Sequence, residues 1–390
     1  MSRYQKNSII NMPRKKAKKN TIENQEVQIR EEGPILRKPD WLSIPLYLLT
    51  DISHMFIDIK DYIRFGAVCR LWQSSCVEIS NHRPPCVATR QLPLLMLHVD
   101  RDNNLETCLL YSFPERRKLS KFQLQLPSNG YSLCSTEGWL VFIPNDNQSR
   151  VTLFNPFCAV SNKIELPLLY SSPFIWDSSF RKKAVLSANP ATSSNYVVMV
   201  IYVSGHQGFS FFKSGDKEWT HLDFEGFKVE DTIYYKEQFY FLDRHEKVFA
   251  FDVSLHQHVQ SQIEEGPPKR CGMRKYLVVS SEDLLLIRSW CTYTDKTVEF
   301  NVFKLDMRGK KWDAVNSLGD QALFIGNNCS IAVSSLNFLG CKPNSIYFIG
   351  LGDNDVGVFN MEDGKIELDN EVESTRRYPA PIWIEPTLQK

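Results

Sequence analysis

The 390-residue chain is 43% hydrophobic and 23% charged, the balance of an ordinary globular protein with room for one to three domains and a sizeable core. Its longest apolar run, Tyr196–Val203, falls far below the roughly 20 residues of a membrane helix, and residues 1–20 hold no apolar core of a secretory signal, so no membrane partner is expected. The formal charge of +1 hides an asymmetry: seven of the 46 Lys and Arg lie in residues 1–20, which hold no acid, leaving 39 basic against 45 acidic residues, a net of −6, in the rest.

In chain order, residues 1–38 are rich in Lys, Asn, Gln and Glu with no sustained apolar period, which predicts a disordered basic tail. Its informative piece is Pro13–Lys19, where Arg14, Lys15, Lys16, Lys18 and Lys19 make a short basic run. Such a run reads as a nuclear-import signal or a weak nucleic-acid patch, against the plainer reading of a solvated tail; nucleic acid is not an expected partner.

Residues 40–80 read as short helices. Proline suits a first helical position, and Pro45 pushes Ile44 out of the helix. Leu48, Leu49, Ile52, Met55 and Phe56 follow at helical spacing. Asp58 can cap the next segment, with Asp61 favouring its positive end, and Ile59, Tyr62, Ile63, Phe65, Val68, Leu71, Trp72, Cys76 and Ile79 continue the apolar pattern. Residues 81–91, with Pro84 and Pro85, read as a stiff linker.

From 92 to 386 the texture changes. Runs such as "GWLVFIP", "YVVMVIYV" and "VEFNVFKLD" alternate with Gly, Asn, Asp, Ser and Pro clusters, giving roughly two dozen candidate strands and no long amphipathic helix. The runs also repeat. Gly208–Leu222 resembles Glu299–Val315, each an aromatic strand ending Phe-Lys, a polar turn and then a Trp. Gln238–Asp252 parallels Ser345–Asn360, with Gly138–Pro156 a looser third copy. Repeated antiparallel units of about 45 residues argue for a β-propeller of about six blades.

The ten cysteines are scattered without a C-x-x-C pair, which reads as reduced thiols and neither a disulfide framework nor a zinc site; the sequons at Asn147 and Asn328 then carry no meaning. His256-Gln257-His258 alternates like a metal pair with no third ligand in view, so it reads as a polar strand or loop. Asp243, Asp252, Asp306 and Asp353 sit at turns, where acids are common turn formers, and are not read as catalytic. Gly350–Gly357 lacks the Gly-Lys-Ser/Thr of a phosphate loop and reads as a hairpin turn. Cys69 has no activating His nearby and reads as an apolar contact. No catalytic residue, metal site or cofactor is predicted.

A segment of about 40 residues is marginal by itself, because its surface is large for its volume. Exposed apolar residues at helical spacing then mark an interface. The span Ile44–Cys76 resembles the F-box. That motif opens Leu-Pro, continues Leu-Leu then Ile, has an Asp before its second helix and ends Val-Cys-x-x-Trp. Here these are Ile44-Pro45, Leu48-Leu49, Ile52, Asp58 or Asp61, and Val68-Cys69-Arg70-Leu71-Trp72. Ile44 for the first Leu is a mild departure, and Gly66 is unfavourable in a helix by about 1 kcal/mol. Further on, "DQALFIGNNCSIAV", "GCKPNSIYFIG", "GVFNMEDG" and "PAPIWIEP" resemble the C-terminal domain of a large class of plant F-box proteins, regarded as a kelch-like β-propeller of poorly defined function. It lacks the Gly-Gly signature of true kelch repeats.

The resemblance implies a mostly β protein with a small α domain: a three-helix F-box at 40–80, then the propeller at 92–386. It implies the substrate receptor of an SCF (Skp-cullin-F-box) ubiquitin ligase, itself non-catalytic. By carry-over, Ile44, Pro45, Leu48, Leu49, Ile52, Val68, Cys69 and Trp72 form or support the surface for a Skp-type adaptor, which brings a cullin, while the propeller holds a target protein. Trp72 also reads as a core residue of the helical unit. The alternative is a nuclear scaffold or regulatory binding protein outside ubiquitination. The expected location is nucleus, cytoplasm or both. Asn145–Arg150, Ser261–Cys271 and Gly352–Asp355 are candidate target loops only by length or polarity.

Overall fold

The computed structural model describes residues 44–54, 65, 68–72, 74, 92–99, 107–113, 116–125, 130–136, 138–144, 150–157, 163–169, 183–204, 206–222, 228–254, 257–261, 273–292, 296–308, 310–326, 329–338, 340–350, 355–369, 372 and 381–386. The basic run, the linker and most of 55–80 lie outside them, as do the expectation of disorder over 1–38 and the second helix with its capping Asp58.

Helix α1 spans Leu46–His54. The carbonyl of Pro45 accepts from the Leu48 and Leu49 N–H groups at 3.0 and 3.2 Å. The proline therefore stands one residue earlier than its expected place at the first helical position. There its carbonyl opens the bonding ladder, and its missing N–H is not needed.

From 94 to 384 the chain folds as six β-sheets, the blades of a propeller. β1 (Leu94–Val99), β2 (Thr107–Ser112) and β3 (Arg117–Gln125) belong to blade 1. Blade 2 is β4 (Gly130–Thr136), β5 (Trp139–Pro144), β6 (Arg150–Phe154) and β7 (Lys163–Leu168). Blade 3 is β8 (Lys183–Leu186), β9 (Val197–Ser204), β10 (His206–Lys213) and β11 (Thr220–Leu222). Blade 4 is β12 (Val229–Tyr235), β13 (Gln238–Asp243), β14 (Val248–Asp252) and β15 (Gln257–Ser261). Blade 5 is β16 (Met273–Ser280), β17 (Asp283–Cys291), β18 (Thr297–Asp306) and β19 (Lys311–Val315).

Blade 6 has five strands. β20 (Gln321–Ile325) pairs antiparallel with β21 (Ser330–Ser334), and then parallel with β22 (Ser345–Ile349), which leads to β23 (Val356–Asn360) and β24 (Ile366–Leu368). The last strand, β25 (Ile382–Ile384), returns to pair with β1 and completes blade 1. The described residues thus hold twenty-five strands in six sheets, matching the two dozen strands and six blades read from the patterning.

Six apolar clusters fill the six seams between successive blades. Strand alternation supplies both sides of a seam. In β9, Val198, Val200 and Tyr202 pack toward blade 2 while Met199 and Ile201 pack toward blade 4. In β20, Ala322 and Phe324 join blade 1 while Leu323 and Ile325 join blade 5. A middle strand buried on both faces reads as a continuous apolar run, which is why "YVVMVIYV" shows no alternation.

The repeats occupy equivalent places. Gly208–Leu222 covers β10 and β11, and Glu299–Val315 covers β18 and β19, the two outer strands of blades 3 and 5. Their tryptophans do the same work. The Trp219 indole N–H donates to the Pro167 carbonyl of blade 2 at 2.9 Å, and the Trp312 indole N–H to the Glu246 carbonyl of blade 4 at 3.3 Å.

Candidate functional site

Two regions of the described chain can carry function. The first is the helical segment. On α1, Leu48 is 41% and Ile52 38% exposed, with Tyr47 more exposed still, whereas Leu49 is fully buried. Pro45 is exposed and Ile44 half-buried. In the second described piece Val68 is 55% exposed, Leu71 is exposed, and Cys69 and Trp72 are half-buried. The Trp72 ring lies 4.6 Å from the buried Phe65 ring at a 40° tilt, and the Ser74 hydroxyl donates to the Leu71 carbonyl at 2.7 Å.

Of the eight residues expected at an adaptor surface, Pro45, Leu48, Ile52 and Val68 are exposed. Leu49 has no surface to offer and can only support the others. Tyr47 and Leu71 are exposed apolar neighbours absent from that expectation. Leu71 was legible from its apolar spacing, while Tyr47 lies off the stripe that the motif marks. Arg14, Lys15, Lys16, Lys18 and Lys19 lie outside the described residues.

The second region is the centre of the propeller. The inner strands run side by side: β25 beside β4, then β8, β12, β16 and β21. Between them lies a cavity of about 550 Å³. Lys183 of β8 is on its wall, and its ammonium pairs with the buried Asp231 carboxylate of β12. Asp231 Oδ1 also accepts from the Thr232 N–H at 2.9 Å, and Oδ2 from the Leu277 N–H of β16 at 2.6 Å. One carboxylate thus joins blades 3, 4 and 5. Also between blades 4 and 5, Glu246 takes a two-pronged bond from Arg288, with Nε at 2.8 Å from Oε1, and Lys275 Nζ lies 3.7 Å from the same oxygen. These charges are buried and mutually paired, the condition under which a folded interior tolerates them.

Acids at turns are turn formers. Asp243 Oδ1 accepts from the His245 and Lys247 N–H groups at 2.7 and 2.8 Å, Asp252 from Ser254 at 2.8 Å, and Asp306 from Arg308 at 3.0 Å; Asp353 lies outside the described residues. Asp355 corrects one expectation. Named as the end of a target loop, it is buried, and its Oδ2 accepts from the Thr297 N–H at 3.0 Å and hydroxyl at 2.6 Å, joining blades 5 and 6. Of the other two loops only Arg150 and Ser261, both inside strands, are described. The sequence at 257–261 is strand β15, and 350–357 spans the β22–β23 connection.

Burial also sets proton affinities. Desolvation pushes the Cys341 thiol up to about 11. The Tyr347 and Tyr276 phenols rise for the same reason, although the Tyr347 oxygen accepts from the Lys342 N–H at 2.8 Å.

Residues 110–360 match the model of a family described as the KIB1-4 beta-propeller. An F-box/kelch-repeat protein of Arabidopsis thaliana is 27% identical over 367 residues, covering 89% of this chain and 94% of its own. The Arabidopsis thaliana F-box protein SKIP23 is 24% identical over 409 residues, covering 88% of this chain and 95% of its own.

Proposed function

The chain belongs to the KIB1-4 beta-propeller family, and from that premise we propose that it is the substrate-recognition subunit of an SCF ubiquitin ligase. An F-box at 40–80 docks on a Skp-type adaptor, which brings a cullin, and the propeller at 92–386 holds a target protein. The observation that carries this reading is the exposed apolar set Leu48, Ile52 and Val68, at the positions where the F-box motif places its partner contacts, in a chain whose full-length relatives are named F-box proteins. Leu49 and Trp72 support that face, and Ile44, Pro45 and Cys69 border it.

No bond-making residue is required for this role. A receptor raises the local concentration of target lysines near a charged conjugating enzyme, so its contribution is positioning. The location is nucleus, cytoplasm or both, with the basic run at 13–19 as the import signal for the first.

The test is co-purification of the full chain with a Skp-type adaptor. Leu48→Arg and Ile52→Arg change exposed side chains and leave the fold intact by circular dichroism. Each should weaken adaptor binding by about 2 kcal/mol or more, roughly 30-fold. Absence of wild-type binding on co-expression would remove the ligase reading and leave a propeller scaffold.

A further inference from the structure

The innermost strand of every blade is the end strand of its sheet, so each turns one row of backbone groups toward the centre. β21 stands out among them. The wall of the central cavity includes its consecutive residues Cys329–Ser334; a strand face would present alternate residues, so it is the backbone edge that borders the space. The side chains point elsewhere, Ile331 and Val333 into the blade 6–1 cluster and Ala332 into the blade 5–6 cluster. β8 also contributes a consecutive run, but Ala184, Val185 and Leu186 are buried, whereas every residue of β21 except Val333 is half-exposed.

Pairing with β20 fixes which amides face inward. The Ser335 N–H donates to the Asp320 carbonyl at 2.8 Å, and the Gly326 N–H to the Cys329 carbonyl at 3.1 Å, at the two ends of the β20–β21 register. In an antiparallel pair, residues that exchange bonds alternate with residues that do not. Cys329, Ile331, Val333 and Ser335 therefore turn their backbone groups to β20, and Ser330, Ala332 and Ser334 turn theirs to the cavity. Among the described residues, β20 is the one strand that β21 pairs with. Such a row of donors and acceptors is matched by another extended backbone, the basis of strand addition by peptides. The length of β21 accommodates about five residues, roughly 16 Å of extended chain, beside a cavity of about 550 Å³.

Charge decides which segment fits. The charged residues of the wall are Lys183, Glu282 and Glu385. Lys183 is already paired with Asp231. Glu282 is exposed in the β16–β17 turn, partly offset by Lys236 of the neighbouring turn, and Glu385 is half-buried just after β25. The wall thus presents two carboxylates and one cation that is already engaged, which disfavours an acidic segment and favours Lys or Arg. Leu336 is 82% exposed in the short turn after β21, next to Asn337 of the wall, and offers an apolar contact at the outer end.

We propose that the central cavity takes an extended, basic segment of a target protein, which adds as a strand to the inner edge of β21. The inference rests on the reading that the propeller holds a target protein, and not on adaptor binding.

A random linear heptapeptide library displayed on phage, selected against the full chain, tests it. The recovered sequences should be enriched in Lys or Arg, and the leading one, synthesised, should protect the 330–334 amides from hydrogen exchange. Ala332→Pro removes an inward N–H and none that β20 uses, a change that an edge strand tolerates; it should weaken peptide binding by about tenfold or more. Glu385→Gln should weaken it most at low salt. N-methylation of the peptide at one alternate set of residues should abolish binding and at the other set spare it, because one edge of an added strand pairs. That comparison uses the unaltered chain and keeps the test decisive if Ala332→Pro does not fold. No enriched sequence, enrichment of acidic sequences, protection away from 330–334, or equal binding of the two N-methylated peptides overturns the proposal. Adaptor co-purification separates the two readings: peptide binding without adaptor binding supports this one while the ligase reading falls, and adaptor binding with no enriched peptide overturns this one alone.

Discussion

At the residue scale, the strongest constraints sit on charges that sequence reading would leave in water. Glu246 is in a turn, between Asp243 and β14, and its flanking Arg244, His245 and Lys247 make the stretch look solvated; yet its carboxylate is buried against Arg288. Only the approach of blade 5 to blade 4 creates that pair, and no local pattern records it. Arg288→Met alone should cost about 3 kcal/mol by leaving the glutamate with only Lys275 at 3.7 Å, while adding both Glu246→Leu and Lys275→Met should recover most of the loss; urea unfolding midpoints of the two variants check this. The buried thiol and phenols give a pH prediction. Because the Cys341 pKa is raised from 9.0 to about 11, the unfolded thiol ionises first. Its contribution to stability is therefore complete below about pH 9 and lost as pH climbs through about 11. Tyr347 and Tyr276 act with the same sign. Alkaline titration should show tyrosinate absorbance from these two rings only together with loss of strand circular dichroism, and iodoacetamide at neutral pH should leave Cys341 unmodified in the folded chain.

At the element scale, much was legible. The tryptophan repeat marked two equivalent units, which the structure places as the outer strands of blades 3 and 5, and the structure gives its reason: each indole reaches back to a carbonyl of the preceding blade. Trp219→Phe and Trp312→Phe should each cost about 1 kcal/mol of hydrogen-bond free energy beyond their packing loss. The two losses should add in the double variant, since blades 3 and 5 share no seam; thermal melts of the three variants measure it. The turns were less legible. Lys236-Glu237 and Ser281-Glu282 connect β12–β13 and β16–β17 with positive φ at both central residues, 44° and 65°, then 48° and 69°. This is the primed hairpin geometry that normally announces itself as Asn-Gly. Lys236→Asn with Glu237→Gly should raise stability by about 1 kcal/mol, because the left-handed backbone brings a Cβ close to the following carbonyl oxygen, which Gly avoids and Asn tolerates; a thermal melt measures it. The fifth strand of blade 6 was not legible either. "DQALFIGNNCSIAV" reads as a plain hairpin, and nothing in it says that the next strand will pair in parallel on the far side of β20.

At the scale of the whole molecule, the count of blades was readable because each blade repeats one pattern of apolar strand and polar turn, whereas the cavity at their centre was not. Its wall is assembled from short runs far apart in sequence, such as Lys183–Ala188, Thr232–Tyr234 and Cys329–Ser334, and no local pattern says that they face one space. The ring is completed by three residues, Ile382–Ile384. The Trp383 indole donates to the Ile325 carbonyl at 3.0 Å, and its own carbonyl accepts from the Cys329 thiol at 3.1 Å. Removing residues 381–390 should therefore open two seams at once, since Trp383 sits in the blade 6–1 cluster and Ile382 and Ile384 in the blade 1–2 cluster; limited proteolysis should then cleave blades 1 and 6 well before blades 3 and 4. The same arrangement sets a timetable for synthesis. The innermost partner of β1, β25, is synthesised after the other described strands, so until it emerges the first blade waits with a bare edge, able to pair with a neighbouring nascent chain. Chaperone demand should accordingly last until β25 emerges, when a single short strand must find its place beside β1.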